Sequence, residues 1–191
     1  PLNTETGEVF NNANLGFKEI PLKKPIQERF PGVPIYLIND GNASVLGVHY
    51  FEASDDEKDN LVYITVSTGI GGGVVCNGHL LLGKDGNAAE IGHGIVNRQS
   101  NFQCNCGAFG CWEVYSSGTG VKNLALDAIK TTKLSSKILM FMIDNDESKI
   151  TAKEIFQAAK GGDKFSKSIV EQCIFYIKVG VGLVNNYYDC T

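Results

Sequence analysis

The chain has 191 residues, of which 43% are hydrophobic and 20% charged, with a formal net charge of -4. That is enough for one large domain with its own core and is the balance of an ordinary globular protein; the acidic excess argues against a dominant nucleic-acid surface. No apolar run reads as membrane-spanning and no charged-then-apolar leader opens the chain, so the expected location is the cytoplasm. Pro1 stands where an initiator Met would, and Tyr187-Tyr188-Asp189-Cys190-Thr191 follows directly on an apolar helical pattern. The expectation is a fragment of a longer protein.

Residues 1–34 are rich in Pro, Gly and Asn, with a short helix expected near Lys24 to Phe30. Ile35-Tyr36-Leu37-Ile38 reads as a buried strand, and a helix is expected from about Asn42 to Phe51. The charged stretch 52–60 is the best domain boundary. Leu61 to Ser67 alternates and is rich in β-branched residues, which predicts a strand. The glycine-rich stretch Gly69-Ile70-Gly71-Gly72-Gly73 follows as a turn, then Val74-Val75-Cys76 as a second strand. Asn77-Gly78 is a strong type I′ hairpin signal leading into Leu80-Leu81-Leu82. One helix is expected over residues 113–130. Thr151-Ala152-Lys153-Glu154 reads as a capping box opening a helix to Lys160. Gly161-Gly162 ends it, and 163–187 forms a long apolar helix. Gly180 and Gly182 interrupt that helix and permit close approach of another backbone.

Asp40 stands at the end of the apolar run 35–38 and before Gly41-Asn42-Ala43. From these residues alone it is either a helix cap or a catalytic base. The stretch Ser67-Thr68-Gly69-Ile70-Gly71-Gly72-Gly73 is either a tight β-corner or a cradle of amide groups for an anion. It lacks the Gly-Lys-Ser/Thr of a Walker loop, and a strand rather than a helix follows it.

Six cysteines are unevenly spread. Cys104 and Cys106 are too close in sequence to bridge readily, and a tight cluster without a leader points to metal. With His93, the thiolates of Cys104, Cys106 and Cys111 complete a Cys₃His set for a structural zinc, and Gly107 and Gly110 let the chain fold back to close it. The alternative is three reduced structural cysteines. Glu90 and Glu113 flank this cluster; they are either solvated surface acids or acceptors for hydroxyl groups such as a sugar presents.

Together, Asn39-Asp40-x-Asn42-Ala43, the glycine stretch 67–73, Glu90-x-Gly92-His93 and Cys104-x-Cys106-Gly107-x-x-Gly110-Cys111-x-Glu113 resemble the ROK family of bacterial-type sugar kinases and sugar-responsive repressors. The resemblance runs through essentially the whole chain, and its cysteine motif is highly specific. It implies an α/β, actin-like ATPase (ribonuclease H-like) fold with a partial small lobe and most of the large lobe. Residues 1–55 would be the C-terminal part of the small lobe, ending in Asp40 and its helix, and 61–191 the large lobe. It further implies Asp40 as general base and Asn39, Asp40, Glu90, His93 and Glu113 as sugar partners, with His93 serving both zinc and sugar. Thr68, Gly69, Gly71 and Gly72 would bind nucleotide phosphate. The cofactors implied are ATP, Mg²⁺ and structural Zn²⁺.

The implied activity is phosphorylation of a hexose 6-hydroxyl, foremost glucose, by a cytoplasmic homo-oligomer (dimer or tetramer) in carbohydrate metabolism, without membrane or nucleic-acid partners. The alternatives are a DNA-binding sugar-responsive repressor, or a kinase for N-acetylmannosamine, fructose or allose. Four departures stand out. Ala89 and Ser67 occupy positions where the family usually has Gly. The Asp-x-Gly-Gly-Thr loop that opens the family's kinases and the later glycine-rich adenosine loop, beyond Tyr188-Asp189, are not among the 191 residues, so the chain alone is expected to be an incomplete enzyme.

Overall fold

The computed structural model describes residues 2–12, 16–132 and 136–190. Among these are two three-stranded sheets and seven α-helices. The chain divides into two compact units, the first comprising 1–64, 72–90 and 188–191 and the second 65–71 and 91–187.

The first unit opens with an antiparallel meander, β1 (Leu2–Asn3), β2 (Glu8–Asn12) and β3 (Phe17–Pro21), in register Leu2↔Val9 and Val9↔Ile20. From the sequence only a helix is expected in this stretch, and the meander is not. The expected helix is α1 (Lys23–Arg29). Residues 35–38 form no strand. Pro34 has no N–H to donate, and among the described residues no strand pairs with this segment. Tyr36 is accordingly 88% exposed.

Helix α2 (Asp40–Phe51) starts two residues earlier than expected. Its first turn lies against β5 (Ile70–Cys76), where a side chain on Gly41 would strike the Gly72 carbonyl and one on Gly73 the Gly41 carbonyl. This explains a correction to the expected turn. Gly71, Gly72 and Gly73 lie in β5 itself, because a bare strand is what lets the helix backbone approach. The turn is confined to Ser67–Gly69, after β4 (Leu61–Val66). Asn77 (φ 50°) and Gly78 (φ 75°) make the expected I′ turn into β6 (His79–Leu80), shorter than predicted, with Cys76 paired to His79.

The second unit holds the larger core. Tyr115, Val121, Leu124, Leu139, Ile150, Ile155 and Ile169 are buried together there. The helix expected over 113–130 is two, α3 (Glu113–Ser116) and α4 (Gly118–Thr132). Ser117 breaks them: its backbone is extended and its hydroxyl accepts from Gly120 N–H (2.9 Å), a cap in mid-pattern. α5 (Lys137–Met142) was not anticipated. α6 (Ala152–Lys160) follows Thr151, whose hydroxyl accepts from Lys153 N–H (3.2 Å) and bonds the Glu154 carboxylate, a variant of the expected box.

α7 (Lys164–Tyr188) runs unbroken for 25 residues. By length and composition it could cross a membrane, with mean hydropathy 1.2 over its most apolar window, which corrects the expectation that no run is long enough. Ile169 and Cys173 on one face nevertheless belong to the core, and Trp112, 1% exposed, lies where a Gly180 side chain would be. The close approach anticipated at Gly180 is therefore that of an indole ring.

Candidate active site and metal centre

In the first unit the helix cap falls to Asn39. Its Oδ1 accepts from Gly41 N–H (2.8 Å) and Asn42 N–H (3.4 Å), while Asp40 is the first helical residue. Asp40 is exposed and, among the described residues, its Oδ1 accepts only from the adjacent Gly41 N–H (3.0 Å). Asn39, Asp40 and Glu90 share one cavity of about 410 Å³ with Leu2, Val9, Leu22, Leu37, Ile38 and Asn87. Three of the five expected sugar partners thus meet in one place.

Asn87 was not singled out from the sequence. Its side chain accepts from Leu2 N–H (3.1 Å) and donates to the Leu2 carbonyl (3.2 Å), pinning β1 to the wall of that cavity. Glu90 follows Ala89, whose φ of 63° is left-handed. That conformation costs an alanine about 1–2 kcal/mol and accounts for the Gly usual in the family. Ser67, the other departure, has no positive φ and is accommodated without strain.

In the second unit, His93, Cys104, Cys106 and Cys111 bring their donor atoms within 4.8 Å of one another. Cys106 Sγ and Cys111 Sγ are 3.7 Å apart, and Cys104 Sγ is 3.4 Å from His93 Nδ1. Sulfurs held about 2.3 Å from one tetrahedral zinc are separated by about 3.7 Å, so the donors fit that ion; the sulfurs are too far apart for a disulfide. Nδ1 faces the thiols, which leaves Nε2 for a second partner.

The knuckle closes as expected, with Gly107 (φ 92°) and Gly110 (φ 78°) left-handed, Cys104 N–H on the Ala108 carbonyl and Gly107 N–H on that of Cys104. Taken alone the thiols resist ionising together. Burial raises Cys104 and pushes Cys111 up to about 12. At Cys106 burial also acts upward, but the Ala108 N–H and the neighbouring thiols outweigh it and hold it below the ordinary value. A divalent cation is what allows three thiolates to sit side by side.

Glu113, two residues past Cys111, is not a free surface acid. Its Oε2 accepts from Ile70 N–H (2.8 Å) and its Oε1 is 3.8 Å from Cys104 Sγ. The turn it touches carries Thr68 and Gly69. Ser67 N–H donates to the Gly69 carbonyl (2.9 Å), and the Ser67 and Thr68 carbonyls accept from Gly118 and Thr119 N–H (2.7 and 3.3 Å) at the start of α4. Among the described residues the Thr68 and Gly69 N–H groups have no protein acceptor. Beside them is a cavity of about 290 Å³ lined by Ser67, Thr68, Gly118, Thr119, Lys122, Thr151, Ala152 and Lys153. Two cations and a hydroxyl-bearing turn suit an anion. Lys122 and Lys153 carried no signal in the sequence, being single charges on helix surfaces. Gly71 and Gly72, expected to touch nucleotide, are in β5, with Gly72 buried.

The ROK family profile matches residues 1–191. A glucokinase of Halalkalibacterium halodurans is 35% identical over 182 residues, covering 95% of this chain and 54% of that protein. A xylose repressor of Bacillus subtilis is 32% identical over 172 residues, 90% of this chain and 39% of the repressor. A crystal structure of a ROK family glucokinase from Streptomyces griseus, in complex with glucose and AMPPNP, superposes with a TM-score of 0.75 at 30% identity, covering 91% of this chain and 55% of that one. The chain spans about half the length of the curated relatives it matches. With these likenesses the α/β, actin-like ATPase fold expected from the motifs holds.

Proposed function

This chain belongs to the ROK family, and from that premise we propose that its protein is an ATP-dependent hexose kinase, acting foremost on glucose. Asp40 accepts the proton of the sugar 6-hydroxyl as that oxygen bonds to the γ-phosphorus of ATP; the bond from phosphorus to the bridging oxygen breaks, and ADP leaves. Asn39, Glu90, His93 and Glu113 hold the remaining hydroxyls. The Thr68 hydroxyl and the amides of Thr68 and Gly69 bind phosphate, and Gly71 and Gly72 support that turn from β5; Mg²⁺ accompanying ATP would supply charge neutralisation at the phosphate oxygens. His93, Cys104, Cys106 and Cys111 would hold a structural zinc, which would keep the His93 ring in place. Residues 1–55 are assigned to the small lobe and 61–191 to the large lobe, and the protein is assigned to the cytoplasm as a homo-oligomer.

The observation that carries this reading is the separation of two roles at adjacent residues. Asn39 caps α2, so the Asp40 carboxylate is left in the wall of a cavity with Asn39, Asn87 and Glu90. A carboxylate within hydrogen-bond reach of an attacking hydroxyl is what such chemistry requires. The likeness to the B. subtilis xylose repressor favours one rival, a sugar-responsive DNA-binding protein. An ADP-release assay on the complete protein against glucose, fructose, allose and N-acetylmannosamine decides between them. Glucose-dependent ADP formation is expected; no turnover with any sugar, together with sugar-dependent DNA binding, transfers the protein to the repressors.

A further inference from the structure

We propose that Glu113 is a positioning residue through which the metal knuckle sets the shape of the phosphate-binding turn, and hence the affinity for nucleotide; this rests on the kinase reading above. Glu113 sits on a rigid base, directly after Cys111 (0% exposed) and Trp112 (1% exposed). From there its Oε2 accepts from Ile70 N–H (2.8 Å), while Oε1 lies 3.8 Å from Cys104 Sγ, which has no proton to give once the thiols hold a metal, so the tie to the knuckle runs through Cys111 and Trp112 in the chain. Oε2 also fills the space that a side chain on Gly69 would take. A side chain there would push the carboxylate aside, away from Ile70 N–H. The opposite flank of the turn is held by Gly118 and Thr119 N–H on the Ser67 and Thr68 carbonyls.

The two amides between these clamps, Thr68 and Gly69, are the ones left free to meet an anion. Their direction is fixed only while both flanks hold. A preorganised donor pair binds a phosphate without having to order itself first. Loss of the knuckle therefore loosens the turn through one carboxylate, although none of the four metal ligands lies in the turn.

The test uses the complete, zinc-loaded protein in four variants: Glu113→Ala, Glu113→Gln, Gly69→Ala, and Glu113→Ala with Gly69→Ala. Glu113→Ala and Gly69→Ala should each raise the KM for ATP about tenfold, the scale of one lost hydrogen bond to a charged group, with zinc content unchanged. Glu113→Gln keeps a carbonyl for Ile70 N–H and can turn its amide NH₂ toward Cys104. Its KM for ATP should stay within about threefold of wild type even if its KM for glucose rises. The double variant should be no worse than the poorer single one, because the methyl group occupies the place the carboxylate has left.

Multiplying losses in the double variant, or an unchanged KM for ATP in Glu113→Ala, overturns the proposal. Hydrogen exchange at the Ile70 amide reads the same link without nucleotide, and protection should fall in Glu113→Ala and on zinc chelation but not in Glu113→Gln. If the wild-type protein neither binds nor turns over ATP, the kinase reading fails, and unchanged Ile70 protection in Glu113→Ala would then overturn the positioning role separately.

Discussion

Asp40 shows how far adjacent residues can be told apart before the fold is known. An acid after an apolar run and before a helix satisfies the preferences of a cap and of a base equally. The choice rests on Asn39, which is as good a cap and in fact takes that place, with Oδ1 on Gly41 and Asn42 N–H. Nothing in residues 38–42 dictates which of two neighbouring capping types is used, because the helix start shifts by one residue at little cost. Ala89 is the opposite case. Its left-handed φ of 63° is invisible in composition but follows from the Gly usual there. Ala89→Gly should therefore raise the melting temperature by about 2 °C. Relief of a left-handed alanine, about 1–2 kcal/mol, outweighs the added freedom of the unfolded chain, about 0.4–1 kcal/mol. Thermal unfolding of both forms checks this, and a lower melting temperature for the glycine form would show that the buried methyl matters more than the backbone.

Among the elements, the metal knuckle was the most legible and the glycine stretch the least. Cys104-x-Cys106 and Gly107-x-x-Gly110-Cys111 specify candidate donor atoms, their spacing and the two left-handed turns within one short segment. The chemistry there is local, and one His from sequence nearby completes it. Gly71 to Gly73 looked like a turn because glycine is read as turn-forming. They are in a strand, and Gly72 and Gly73 lie against the start of α2, from earlier in the chain, a contact that no local pattern announces. The split between α3 and α4 at Ser117 has the same origin, since Gly118 N–H is taken by Ser67 from another element.

The knuckle also has a testable sign in pH. In chelated protein, Cys111 is raised from 9.0 to about 12. A thiol raised in the folded state contributes stability below its ordinary value that is lost as pH rises through about 9 to 12, so the chelated protein should weaken over that window. Zinc-loaded protein should behave in the reverse sense. Metal holds the thiols as thiolates, so its stabilisation is present at neutral pH and lost as acid protonates them. Chemical denaturation should show chelated protein losing stability as pH rises above about 9 and zinc-loaded protein losing its added stability as pH falls below neutral, and metal analysis should give about one zinc per chain. The same pH dependence in both forms would remove the metal from the account.

At the scale of the molecule, the motifs fixed the family and the fold class because they recur in order along the chain, while the size of the whole did not follow from them. The 191 residues cover about half of the relatives' length. The meander of 2–21 was missed because its strands are two to five residues long and bury little, so no period-2 apolar pattern survives in them. What joins these parts is the assignment of Asp40 as base, for which Asp40→Asn in the complete protein is the sharpest probe. The substitution keeps shape and most hydrogen bonding and removes only the proton acceptor. The measurement is kcat for glucose-dependent ADP formation alongside the equilibrium affinity for glucose. The account predicts a fall in kcat of at least ~100-fold, with glucose affinity changed by less than about tenfold, since the cap on Asn39 and the other hydroxyl partners remain. A variant that turns over glucose at close to the wild-type rate would contradict it.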